Sequence, residues 1–210
     1  METLGGIGLH PTVPSAEMPT PQLMRYCAVN RRSRSIVLIG MMGAGKSTVG
    51  DCLQRRTGFQ RLDTDEIVMS KFRMPISKIF SAHGEDKFRE AETEALQALA
   101  SDEPVVIVTG GGIVLREENR NLLKRLGAVV WLEADEETLF KRASRTSNRP
   151  LMQRKNQRKA FAQMLQARLP LYTEIADIRV DTSVLTDEEV AIAILSKFKR
   201  HCRKSAPATA

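Results

Sequence analysis

Nine consecutive residues carry the sharpest chemistry in the chain: Gly40-Met41-Met42-Gly43-Ala44-Gly45-Lys46-Ser47-Thr48. They fit the pattern G-x-x-x-x-G-K-[ST] in full. Those residue types at that spacing suit phosphate. Glycines let backbone N–H groups converge on phosphate oxygens with no Cβ in the way. A helix opening at Lys46 adds the partial positive charge of its N-terminus. Lys46 is expected to reach the terminal phosphates, and the Ser47 hydroxyl to ligate Mg²⁺. Gly43, Ala44, Gly45 and Thr48 complete the set expected around a nucleoside triphosphate. A dinucleotide-binding turn is the competing reading, because Asp63 or Asp65 stands about 20 residues on, where a ribose acid would. Thr48 occupies the place where that turn needs Gly or Ala, and the Lys46-Ser47 pair decides for the triphosphate.

Phosphoryl transfer also needs a proton acceptor and a seat for the second substrate. Asp63 and Asp65 lie two residues apart at the end of an apolar run, where open parallel sheets bind ligands. One can support the metal and the other can accept a proton from an attacking hydroxyl. The plainer alternative is that Asp63 or Thr64 caps the next helix. Gly110-Gly111-Gly112 directly follows another apolar run, so a backbone there can approach a small ligand closely. A tight turn is the plainer alternative. Thr109 stands where such a strand commonly ends in a metal-binding Asp, which makes Asp63 the better metal acid; Glu133 is a decoy of similar form. Arg89 follows Glu85 by four residues, and spacing alone reads it as a surface ion pair. Arg168 is expected to end a helix before Pro170, where a cation favours the C-terminal dipole. Arg149 falls within Lys141 to Lys159, which holds eight Lys/Arg and no acid. Such a segment over a triphosphate site could close as a lid.

The elements that must position these residues alternate strand and helix. Apolar runs at Ile36–Ile39, Phe59–Leu62, Val105–Val108, Ala128–Leu132 and Ile178–Val180 read as strands buried on both faces, hence a parallel sheet. Helical patterns fall between and after them at Lys46–Arg56, Glu85–Leu99, Glu117–Leu126, Glu136–Ala143, Gln157–Arg168 and Asp187–Arg200. Thr186 and Glu189 have capping-box spacing before the last. The class is α/β. Residues 1–30 read as a disordered extension, since four of the nine prolines fall between Pro11 and Pro21 and no apolar period is present. The functional domain is expected over 31–201, with a short tail at 202–210.

Composition narrows the partners. The net charge of +7 invites an anionic ligand. Aromatics are only 5% of the chain and do not interleave with the basic clusters, so stacking platforms for nucleic acid are scarce. No apolar run is long enough to cross a bilayer. Three widely spaced cysteines, with no C-x-x-C, argue against a disulfide framework. A soluble cytoplasmic monomer with no nucleic-acid or membrane partner is expected.

The ordered set resembles the shikimate kinase family: the phosphate loop, Asp63-Thr64-Asp65, Phe88-Arg89-x-x-Glu92, the triple glycine, Arg149-Pro150-Leu151 and Arg168-x-Pro170-x-Tyr172. The resemblance implies a three-layer α/β/α fold with a five-stranded parallel sheet of order 2-3-1-4-5 and a mobile basic lid. It implies transfer of the ATP γ-phosphate to the 3-hydroxyl of shikimate, in chorismate and aromatic amino-acid biosynthesis, with Mg²⁺ as cofactor. It makes Asp65 the proton acceptor and the holder of ring hydroxyls. Arg89 and Arg168 become a carboxylate clamp, with Glu92 orienting Arg89. Gly111 offers its N–H to a hydroxyl, and Asp63 supports Mg²⁺ through water. Arg149 becomes the lid arginine near the phosphates, and Arg142 a neighbour of the adenine. Another P-loop small-molecule kinase, of the gluconate type, is the rival that the loop alone leaves open.

Overall fold

A computed structural model of the chain describes residues 35–99, 103–145 and 156–204. Five strands carry the architecture: β1 (Ile36–Ile39), β2 (Gln60–Asp63), β3 (Val105–Val108), β4 (Ala128–Glu133) and β5 (Ile178–Asp181). They form one parallel sheet in the order β2-β3-β1-β4-β5. Among the described residues, seven α-helices connect or follow them: α1 (Lys46–Thr57), α2 (Thr64–Phe72), α3 (Ile76–Ala98), α4 (Glu117–Leu126), α5 (Glu136–Ser144), α6 (Gln157–Ile175) and α7 (Asp187–Lys204). The expected class and strand order are therefore those observed.

Alternation along β1 explains the two cores. Ile36 and Leu38 face one side with Val49 and Leu53 of α1 and Ile194 and Phe198 of α7. Val37 and Ile39 face the other with Leu96 of α3, Leu123 of α4 and Tyr172 of α6. Every side chain of β1 is buried, so the strand has no polar face. A third, smaller core joins α2 to α3 through Val68, Ile79, Phe88, Ala91 and Ala95.

Register then fixes the functional edge. Leu38 pairs with Val108, and Val108 with Asp63. Those three residues form a row across the sheet. The residues just beyond them, from Ile39 to Gly40, from Thr64 to Asp65 and from Thr109 to Gly110, emerge together at the carboxyl ends of the strands. The connection from β3 crosses over β1 to reach β4, so this edge contains the point where the winding direction reverses.

Three local expectations need correction. The helix bearing Arg168 does not stop before Pro170 but runs on to Ile175. Pro170 is exposed, so water can satisfy the backbone carbonyl that the ring leaves without a partner. Arg168 is therefore inside a helix and not at a C-terminal dipole. Second, α2 was expected only through the alternative that Asp63 or Thr64 caps a helix; its nine residues are too few to show a clear apolar period. Third, α3 begins at Ile76 and kinks at Gly84, whose φ of 81° breaks the helical run.

Candidate active site

The phosphate loop leaves β1 and enters α1 through three glycines at positive φ: Gly40 at 142°, Gly43 at 87° and Gly45 at 85°. A Cβ on Gly40 would strike the Leu132 carbonyl, and one on Gly43 the Leu139 carbonyl. The loop is thus pressed against β4 and α5, and only glycine permits both the turn and the approach. No side chain caps α1 and no acid lies in its first turn, so its N-terminal N–H groups are open to the cleft, with the Asp187 carboxylate beside Gly45. Lys46 is buried and donates to the carbonyls of Gly40 at 2.8 Å and Met41 at 3.1 Å. Ala44 is buried in the loop, whereas Ser47 and Thr48 are exposed at the mouth.

Asp63 ends β2 and caps α2: one oxygen accepts the Asp65 N–H at 2.9 Å. Its other oxygen pairs with Arg61 at 2.9 Å. The capping alternative therefore holds for Asp63, and Arg61 is a partner that sequence reading missed. Arg61 also meets Asp51 at 3.1 Å and Glu66 at 3.1 Å. Burial raises the Asp63 carboxyl above its ordinary value, with the Asp65 charge adding to the rise and Arg61 opposing it.

The three glycines after β3 each lie against a different functional side chain. A Cβ on Gly110 would come within 2.6 Å of Asp65 Oδ1 and 3.0 Å of Glu92 Oε1. One on Gly111 would lie 3.6 Å from Arg168 Nη1, and one on Gly112 would be 2.5 Å from the Arg89 guanidinium. The turn is therefore also a floor around which Asp65, Arg89, Glu92 and Arg168 gather. Thr64 Oγ1 accepts the Gly110 N–H at 3.3 Å. The Tyr172 hydroxyl donates to the Gly111 carbonyl at 2.6 Å, and its ring stacks on Trp131 at 5.8 Å. Tyr172 is thus a second residue whose role was not read from the sequence. The signal was available, since Phe161, Leu165, Arg168, Tyr172 and Ile175 form one buried stripe on α6.

Arg89 makes the expected ion pair with Glu85 at 3.0 Å and a shorter one with Glu92 at 2.6 Å. Burial opposes its charge, but the two carboxylates outweigh it and hold the guanidinium above the ordinary arginine range. Glu92 is 1% exposed. Burial pushes its carboxyl up to about 7 in spite of Arg89.

A cleft of ≈ 690 Å³ joins Gly43, Gly45, Lys46, Ser47, Thr48, Asp63, Asp65, Gly111 and Arg142. Arg142 extends from α5 to the loop after β5, donating to the Thr182 hydroxyl at 3.2 Å and the Thr182 carbonyl at 2.8 Å. That loop and the first residue of α7 add Leu185, Thr186 and Asp187 to the lining, which sequence reading did not assign. Glu133 lines a separate pocket behind the phosphate loop, away from this cleft. Arg149 and most of the expected lid lie outside the described residues. Of its described cations, Arg158 pairs with Glu137 and covers the Phe140 ring at 5.9 Å.

Comparison with known proteins relates the chain to shikimate kinases. The family model described as Shikimate kinase covers residues 42–199. The shikimate kinase of Thermodesulfovibrio yellowstonii is 44% identical over 167 residues, 80% of this chain and 96% of that relative. The solved shikimate kinase from Acinetobacter baumannii, in complex with shikimate, matches with a TM-score of 0.77 at 35% identity, covering 85% of this chain and 96% of that one. The shikimate kinase from Aquifex aeolicus matches with a TM-score of 0.67 at 35% identity, over 79% of this chain and 96% of that one. A family model spanning most of the chain and a relative matched almost end to end agree with the geometry, and the chain belongs to the shikimate kinase family.

Proposed function

We propose that the protein transfers the γ-phosphate of ATP to the 3-hydroxyl of shikimate, giving shikimate 3-phosphate and ADP. The observation that carries this reading is the convergence of one carboxylate and two buried arginines on a triple glycine beside a phosphate loop. Lys46 and the α1 N-terminus bind the triphosphate and stabilise charge on the transferring group. Asp65 holds the ring hydroxyls and accepts the proton of the attacking one. Arg89 and Arg168 clamp the carboxylate, and the Gly111 N–H meets a hydroxyl. Glu92 aligns Arg89 through its 2.6 Å ion pair. Arg142 borders the adenine, and Arg149 supports the phosphates from the lid.

The oxygen donors of Ser47 and Asp63 line the same cleft and suit a hard divalent cation, Mg²⁺, with Asp63 acting through water. Ser47 and Asp63 would hold the ion, and it would supply charge neutralisation to the phosphates. We also infer a cytoplasmic monomer. No helix among the described residues is long and apolar enough to cross a membrane.

The test is ADP release from Mg·ATP by the purified chain, with shikimate, quinate and gluconate as separate acceptors. Release with shikimate alone is expected. Equal release with gluconate, or none with shikimate while ATP still binds, would overturn the assignment.

A further inference from the structure

The two arginines beside the triple glycine are held in opposite ways. Arg89 is paired to two carboxylates, Glu92 at 2.6 Å and Glu85 at 3.0 Å. Arg168 is equally buried, at 7% exposure against 9%. Its guanidinium donates to sulfur: Nη1 to Met41 Sδ at 3.6 Å and Nη2 to Met164 Sδ at 3.9 Å. No carboxylate among the described residues lies within ion-pairing distance of it.

A buried cation faced by thioethers is an expensive arrangement, because a thioether is a neutral and weak acceptor. A carboxylate at position 164 would be the cheap solution. It would stand four residues N-terminal to Arg168 on the same helix, the favoured order for a helical ion pair. Thioether sulfur instead fills the space, and no carboxylate among the described residues contacts the charge; Glu92 acts on it through space, and the Tyr172 hydroxyl is its other polar neighbour.

We propose that Met41 and Met164 are specificity-determining residues. They wall the Arg168 guanidinium with uncharged, weakly accepting atoms and so reserve its charge for the carboxylate of the substrate. The inference rests on Arg168 being part of the acid clamp. It adds a division of labour: Arg89, already held in two ion pairs, supplies fixed geometry, while Arg168 supplies most of the attraction for the anion. Preference for an acid over its neutral ester then depends on two methionines that make no ionic contact with it.

The experiment is steady-state kinetics of the full chain with shikimate and with its methyl ester, for Met164→Glu, Met164→Gln, Met164→Leu and Arg168→Ala. Met164→Glu should raise the KM for shikimate about tenfold or more, because an internal carboxylate competes for the same fork. Its kcat at saturation and its KM for ATP should stay within about twofold, and the preference for acid over ester should collapse. Met164→Leu, which adds no charge, should keep KM within about threefold, with Met164→Gln between the two. Calorimetric titration with shikimate provides the same comparison without turnover. If the Glu variant does not fold, the Gln variant carries the test, and its failure to raise KM above that of Leu overturns the proposal. Equal KM values for the Glu and Leu variants would also overturn it, while a raised KM in Arg168→Ala would leave the clamp standing. An unchanged KM in Arg168→Ala would remove the clamp itself, and the inference with it.

Discussion

Asp65 follows the strand edge by two residues, and its backbone N–H is tied to Asp63 at 2.9 Å. That tether aims its carboxylate at the Gly110 floor. Asp65→Asn keeps the shape and removes the proton acceptor, so kcat should fall about 10²–10⁴-fold with little change in KM; turnover within a factor of a few of the parent would remove the assignment. Glu92 makes a different prediction. Its carboxyl is pushed from an ordinary 4.5 up to about 7 by burial. A group raised in this way holds its proton more tightly folded than unfolded. It therefore supports the fold below its unfolded value and withdraws that support as pH climbs to about 7. The parent's Tm should thus gain on that of Glu92→Gln as pH falls from about 8 to about 5. A difference that stays flat over that range would return Glu92 to an ordinary carboxyl. The motif residues at this scale were legible, because the spacing around Lys46 and Ser47 has few other uses. Arg61 and Tyr172 were not, since each acts on a residue distant in sequence or hidden by the chemistry next to it: Tyr172 holds Gly111 across 61 positions.

Helices deliver these side chains through ordinary periodicity. On α3, Phe88, Arg89, Ala91, Glu92, Ala95 and Leu96 share the buried side, so an arginine and a glutamate occupy core positions. On α6, Arg168 interrupts an otherwise apolar stripe. Local spacing suggested a surface pair for one arginine and a helix end for the other, and only the resemblance marked them as functional; their core positions are visible in the structure. The short α2 was visible only as the capping alternative, for a related reason. Asp63 as N-cap and the acids Asp65 and Glu66 in its first turn are helix-start signals, but the same residues also read as chemistry. The capping box of α7 was legible and is present: Thr186 Oγ1 accepts the Glu189 N–H at 3.3 Å, and the Glu189 carboxylate accepts the Thr186 N–H at 2.8 Å. Thr186→Ala should cost about 1 kcal/mol, lowering Tm by about 2–4 °C. Since Thr186 also lines the cleft, KM for ATP should be measured alongside; an unchanged Tm would mean that the cap contributes nothing.

At the scale of the whole molecule, the α/β class followed from buried runs alternating with helical segments, but strand order did not. Every strand of β1, β3 and β4 is similarly apolar, and nothing local tells β1 to lie between β3 and β4. The order came from the resemblance, which draws on the ordered motifs instead. Among the described residues, those lining the cleft fall between Gly43 and Asp187. Removing residues 1–30 should therefore leave kcat and both KM values within about twofold; an inactive or insoluble product would assign the extension a part in folding or in the site. The stacking of Trp131 on Tyr172 has one more outcome. The chain holds a single tryptophan, and its neighbour is hydrogen-bonded to the Gly111 carbonyl at 2.6 Å. The indole is thus two contacts from the backbone on which the acid is expected to settle, and the enzyme carries its own optical gauge of occupancy. Excited selectively, its emission should shift and saturate with shikimate even when no nucleotide is present; a flat titration alongside normal turnover would mean that the Gly111 turn does not move when the acid arrives.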